Sequence, residues 1–278
     1  MQDETKILDY NSLLKITIIS AITAVSASII VFFFSNYSSL FFAYDFDIPA
    51  TLDLSGINFT NSSGNQNWSR DAMITILLSK PISAFFGGMV FLIALMIGNK
   101  KSVATIFILF WLNVFAFNSA FGILIDDAIL GVGTYEVATE MNIGNSYLIV
   151  MTIILAFIFY KIGMMNGRLM ILSFPNQNLF SFKSRVLFFI LAFILPWLLV
   201  ITYTYFLSLN LFSASEILKI IPVIILLIPF LTAKKPENSK FSYLPAKSFS
   251  VMDIVLTVLF FTGSVVLIMM MKNGIIIS

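Results

Sequence analysis

The chain has 278 residues, of which 59% are hydrophobic and 11% charged, with a net charge of +2. A soluble domain carries roughly 25% charged residues, so an apolar excess of this size needs lipid as its solvent. The chain holds no His and no Cys, which excludes disulfides, thiolate chemistry, His-ligated haem or zinc, and Ser-His-Asp catalysis within it. The small net charge gives no reason to expect nucleic acid.

Seven apolar runs are long enough to cross a hydrocarbon core of about 30 Å, which takes about 20 helical residues. They fall at 13–34, 79–97, 103–125, 146–165, 186–207, 216–233 and 252–271. The expected fold is therefore an all-α polytopic bundle of about seven transmembrane helices, forming one membrane domain over 1–278. The first run continues through Ile29 to Phe34, past the small residues Ser26-Ala27-Ser28, and reads as an uncleaved anchor.

That first span carries Ser20, Ala24 and Ser28 four residues apart. Small residues at this spacing let helix backbones approach closely in lipid. They serve either packing within the chain or association with another one. An outer loop follows at about 35–71, rich in Ser, Asn and Asp, with sequons at Asn36, Asn58, Asn61 and Asn67.

Ser79-Lys80-Pro81 then reads as the start of the second helix, because Ser is favoured at the cap and Pro at the first helical position. Ser69 to Leu78 would be a separate interfacial piece. Lys80 would lie near the outer boundary, either snorkelling or paired with Asp126 or Asp127. Ser83, Gly87 and Gly88 repeat the small-residue device on this span.

The third span is the most polar. Trp111, Phe115, Asn118, Gly122 and Asp126 fall on one helical face, and Asn113 lies in the same run. An amide in apolar surroundings must find a hydrogen-bond partner. Asp126 and Asp127 close the helix, and Gly131 to Glu136 follow with flexible backbone and another acid. Lys80, Asn113, Asn118, Asp126 and Asp127 form the candidate polar or ligand site, since intramembrane polar groups suggest function. Adjacent Asp126 and Asp127 point about 100° apart on a helix and cannot share a proton as a facing pair, which argues against an aspartyl-protease dyad.

The inner loop at about 166–184 alternates Leu169, Ile171, Phe174, Leu179 and Phe182 with polar groups, as a segment lying on the membrane surface would. Pro196, Pro222 and Pro229 should bend the fifth and sixth spans. Met269-Met270-Met271 reads as lipid-facing filler. No internal repeat is visible, unlike many transporters.

Loop charge sets orientation. The segments at 98–102, 161–185 and 234–253 carry Lys100, Lys101, Lys161, Arg168, Lys183, Arg185, Lys234, Lys235, Lys240 and Lys247. Glu237 and Asp253 offset part of that charge, and the opposite loops carry Asp45, Asp47, Asp53, Asp71, Asp126, Asp127, Glu136 and Glu140 against Arg70. With seven spans, the positive-inside rule puts the N-terminus in the cytoplasm and the C-terminus outside, in a cell membrane read as a bacterial inner membrane.

The stretch from Lys80 to Gly163 resembles the core of site-2-protease-like membrane proteins. There a Gly-Pro element opens a Gly-rich helix, and a Trp- and Asn-bearing helix follows. Lys80-Pro81, Gly87-Gly88, Trp111, Asn113, Asn118 and Gly122 echo it. The metal-binding HExxH of that family is absent, so the resemblance implies a non-catalytic relative.

The expected function is a non-enzymatic membrane subunit or scaffold that binds other membrane proteins, without metal or cofactor. The alternatives are a small transporter or channel using the Asn118 face, or a lipid-acting enzyme using outer carboxylates with a divalent cation.

Overall fold

The computed structural model describes residues 10–59, 68–97, 100–122, 124–125, 127, 134–174, 179, 181–208, 221–233 and 246–277. The architecture is all-α with one small sheet. In chain order it has α1 (Tyr10–Asp45), β1 (Ala50–Asp53), β2 (Gly56–Phe59), α2 (Arg70–Met96) and α3 (Val103–Phe117), which runs into a π turn at Asn118–Gly122. Then come α4 (Thr134–Glu140), α5 (Asn145–Ser173), α6 (Phe182–Phe189), a second π turn at Ile190–Ile194, and α7 (Leu195–Ser208). The chain ends in α8 (Ile221–Leu227), α9 (Pro229–Thr232), α10 (Val251–Lys272) and β3 (Ile275–Ile276). Among the described residues six helices are long and apolar enough to span a membrane. The protein is a multi-spanning membrane protein.

Several elements outrun or redraw the expected limits. At 36 residues α1 is about 54 Å long, well beyond a bilayer core of about 30 Å. Its extra outer turns survive because their polar groups find partners. Asn36 donates to the Phe32 carbonyl at 2.7 Å, Ser38 lies 2.9 Å from Ser83, and Ser39 lies 2.8 Å from Ser79. Asn36 is buried in a helix, so its sequon is not an acceptor site. Asn61 and Asn67 lie outside the described residues.

The described part of the outer loop is folded. β1 and β2 form a hairpin in which Asp53 accepts from the Ser55 backbone N–H and the Asn58 amide, each at 2.7 Å.

The second helix does not begin at Lys80-Pro81. α2 starts at Arg70, where the Ser69 hydroxyl accepts from the Ala72 N–H at 3.1 Å. Pro81 is carried inside the continuous helix. Ser79 is not a cap: its hydroxyl donates to the Ile76 carbonyl at 2.7 Å and meets Ser39 across the interface. The true cap satisfies a terminal N–H that Ser79, already within the helix, is not placed to serve.

The inner loop is also shorter than expected. α5 continues to Ser173, and Leu169, Ile171, Phe174 and Leu179 are buried in the core, leaving Phe182 exposed. The alternation reflects packing rather than a surface segment. Of the methionine run, Met271 is buried and Met269 and Met270 are exposed.

The sixth run is described from residue 221 as two short helices, α8 and α9. They meet at Ile228 because Pro229 lacks the N–H that would continue the ladder.

Backbone contacts fix which loops share an end. Lys247 N–H donates to the Lys101 carbonyl at 2.8 Å, and Ala246 N–H to the Ser173 carbonyl at 2.9 Å. The Arg185 guanidinium donates to the carbonyls of Leu179, Leu231 and Ala233 at 2.8, 3.0 and 2.9 Å, closing the end of α9. The basic segments therefore lie together.

At the opposite end β3 pairs with β1, Thr51 against Ile276 and Leu52 against Ile275, giving the sheet order β2-β1-β3. This pairing puts the loop after α1 and the C-terminal segment on one side. An even number of crossings must separate them. α2, α3, α5, α6–α7 and α10 supply five long helices, and the described part of the sixth run, α8 and α9, is a shorter apolar stretch lying between the same two ends. Its contacts agree: Gly163 faces Leu226 and Gly167 faces Phe230, so α8 and α9 run parallel to α5 toward the basic end.

The strand pairing is directly checkable because the chain has no native Cys. Thr51→Cys with Ile276→Cys should cross-link under mild oxidation in intact membranes, since directly paired Cβ atoms lie about 4.5–5.5 Å apart. Absence of the cross-linked band, with a Thr51→Cys/Asn58→Cys hairpin control bridging normally, would contradict the shared side.

Candidate functional site

The third span supplies the centre of the site, but the geometry moves it from Asn118 to Asn113. Asn113 is fully buried. Its amide nitrogen donates to the Gly88 carbonyl of α2 at 3.0 Å, and its amide oxygen accepts from Asn166 of α5 at 2.6 Å. Three helices thus meet at one amide pair. Asn166 is itself buried, and among the described residues its Oδ1 has no hydrogen-bond partner. Flipping that amide would set two carbonyl oxygens against each other, so the donor assignment follows from the network.

Glycines permit the crossings. A Cβ on Gly88 would sit 3.1 Å from the Phe117 ring. On α5, Gly163 and Gly167 flank Asn166: added Cβ atoms would come within 2.5 Å of the Leu226 carbonyl oxygen and 2.9 Å of the Phe230 Cα. The backbones of α5 and of α8–α9 are in contact, with room only for hydrogen. This is the small-xxx-small device of membrane helices. Asn166 and the Gly163/Gly167 pair were not among the residues expected from sequence, although the four-residue spacing was there to be read.

Around Trp111 a second polar chain joins α1, α3 and the second π turn. Trp111 Nε1 donates to the Ser20 hydroxyl at 2.9 Å, and Ser20 donates to the Ala192 carbonyl at 2.5 Å. Trp111 stacks on Phe115 with centroids 5.5 Å apart.

Asn118 opens the first π turn and is half-buried. Its amide lies over Gly122, where a Cβ would sit 2.5 Å from Asn118 Oδ1. Trp111, Asn113 and Asn118 therefore serve different neighbours rather than one polar face.

Lys80 is half-buried on α2, one residue after Ser79 and three before Ser83, which contact Ser39 and Ser38 of α1. Ser39 is 24 residues along α1 from Lys15 at the basic end, about 36 Å of helical rise. Lys80 thus sits far from the basic end, toward the sheet end of the bundle. Asp127 is half-buried at the same end of the bundle; Asp126 lies outside the described residues.

The small-residue stripes are occupied by the chain itself. Ser20 and Ala24 are fully buried, Ser83 contacts Ser38, and Gly88 lies under Phe117. Ser28 bonds its own helix at Val25, and Gly87 is only half-buried. Among the described residues no group of three or more His, Cys, Asp or Glu could hold a metal. The amide junction contains neither carboxylate nor amine, so it offers hydrogen bonding and helix registration rather than proton transfer.

A groove of about 330 Å³ lies at the acidic end, lined in part by Tyr44, Asp47, Pro49 and Ile276.

No family model, curated protein or solved structure matches this chain.

Gly163→Ala should destabilise the bundle by about 1–3 kcal/mol, the usual cost of overpacking a tight contact. Gly263→Ala on α10, where an added Cβ meets nothing within 4 Å, should be neutral. Thermal unfolding of the two variants in detergent separates them; equal melting temperatures would remove the close-approach argument.

Proposed function

We propose that the chain is a non-enzymatic membrane subunit or scaffold that binds another membrane protein through the outer half of α5. One observation carries this reading. No residue from Ser146 to Ile158 is buried; Tyr147, Ile149, Val150, Ile153, Ile154 and Phe157 are exposed on one broad face, and Leu148, Thr152, Leu155 and Ala156 are half-buried on the other. The inner half, by contrast, is clamped by Gly163, Asn166 and Gly167. A rigidly held helix that is apolar all round fits a second helical surface as well as it fits lipid. Ser20, Ala24 and Gly88 of the α1 and α2 stripes are buried against the chain's own helices, and the broader open face is that of α5.

A transporter or channel is the second reading. It is favoured by the buried Asn166 oxygen, a polar acceptor inside the bundle. By the positive-inside rule the basic end belongs in the cytoplasm, with the N-terminus inside and the C-terminus outside.

A photoreactive side chain at Ile149 or Ile153 in native membranes should yield one discrete protein adduct, enriched after mild-detergent purification. The same probe at Val258 on α10, also exposed, should not. Identical diffuse labelling from both helices would defeat the subunit reading and leave the amide junction as the remaining lead.

A further inference from the structure

The basic end is a built cluster rather than scattered loop charge. Lys101 and Lys247 are joined through their backbones at 2.8 Å. Lys15, at the start of α1, reaches over the ring of Phe249 with its ammonium 5.2 Å from the centroid. Three cations from three separated stretches of chain thus converge on the surface where α1, α3 and α10 begin.

Among the described residues the acid at this end is Asp253, and it faces inward. It is fully buried, accepting from the Ala104 N–H at 2.8 Å, the Ser250 N–H at 2.9 Å and the Ser250 hydroxyl at 3.1 Å. Its carboxylate caps α3 and α10, and is sealed from the lysines' outer face. Lys101 also donates to the Ile97 carbonyl, and partial burial lowers its pKa below the ordinary lysine value.

The turns toward the bilayer centre are apolar and open. Leu14 and Ile18 on α1, and Val251, Val255 and Leu259 on α10, are exposed. The two helices pack together farther along, where Ser26 and Ser264 lie 3.3 Å apart. Cations at the interface above an exposed apolar strip match a phospholipid in both parts, phosphate and acyl chain.

We propose that Lys15, Lys101 and Lys247 form a binding site for the headgroup phosphate of an anionic phospholipid, its acyl chains lying along α1 and α10. The ligand chemistry is a phosphate ester anion; the apolar strip selects the lipid over free phosphate. Each juxtamembrane lysine strengthens such binding by about fivefold.

The test uses the purified full chain in neutral detergent with three additives: phosphatidylglycerol, phosphatidylcholine and inorganic phosphate. Lipid retention is counted by native mass spectrometry and stability is followed by intrinsic fluorescence. Phosphatidylglycerol should be retained and should raise the melting temperature, with phosphatidylcholine and phosphate giving little. Lys15→Gln/Lys247→Gln, two exposed positions, should weaken phosphatidylglycerol retention by roughly 25-fold while keeping the lipid-free melting temperature. Lys272→Gln, at the opposite end, should bind as the unaltered chain does. Equal stabilisation by inorganic phosphate would make this a free-anion site and overturn the lipid assignment. Retention that survives the double substitution, or falls equally in Lys272→Gln, would overturn the site. If the double variant does not fold, Lys247→Gln alone with an expected fivefold loss decides the same question.

Discussion

The structure depends on one constraint: within the bilayer core a polar group is costly unless it finds a partner inside the protein, and buried Asn166 Oδ1 is an exception among the described residues. Helix α3 is where that constraint is concentrated. It is the most enclosed span, with 72% of its apolar window buried against 11% for α5. It nevertheless carries Trp111 and Asn113. Each has been given a partner on a different helix, Ser20 on α1 and Asn166 on α5, and Asn113 also holds α2 through Gly88. Interhelical hydrogen bonds in membranes are worth about 0.6 kcal/mol on average. Their larger effect here is to fix register, because a slipped helix would leave the same amides stranded in hydrocarbon.

Around this centre, close packing does what the hydrophobic effect cannot do in lipid. Helices in a bilayer gain little from hiding apolar surface, so contact distance decides which ones associate. Gly163 and Gly167 bring α5 against the broken pair α8–α9 at backbone distance. The π turns at Asn118–Gly122 and Ile190–Ile194 shift side chains out of regular α register. In the first, Asn118 folds over Gly122. In the second, Ala192 presents its carbonyl to Ser20. The consequence for α5 is a sharp division between a clamped inner half and an unpacked outer half.

The two ends of the bundle are chemically distinct. At one end the basic loops are joined through backbone contacts, Arg185 closes α9, and Asp253 caps two helices at once. At the other, a three-stranded sheet ties the chain's last residues to the loop after α1. The sheet and the caps mark the two ends independently of hydropathy, which matters because the sixth run is short in its described part and broken at Pro229.

By itself the sequence determined the solvent, the class and the polarity. Spans of about 20 apolar residues have one stable solution in lipid, the helix, and unequal loop charge separates the two ends. It also marked Asn113, Lys80 and the small-residue stripes as exceptions to an apolar background. Tertiary structure decided what those exceptions do. Ser20 and Ala24 face the chain's own helices, Ser79 lies inside a helix instead of capping one, and Asn113 rather than Asn118 is the junction, with Asn166 as its partner. The physical reason is that periodicity reports which residues share a face of one helix, whereas a hydrogen bond or a glycine contact needs the facing helix. Here Ser20 and the Ala192 carbonyl that it meets lie 172 positions apart.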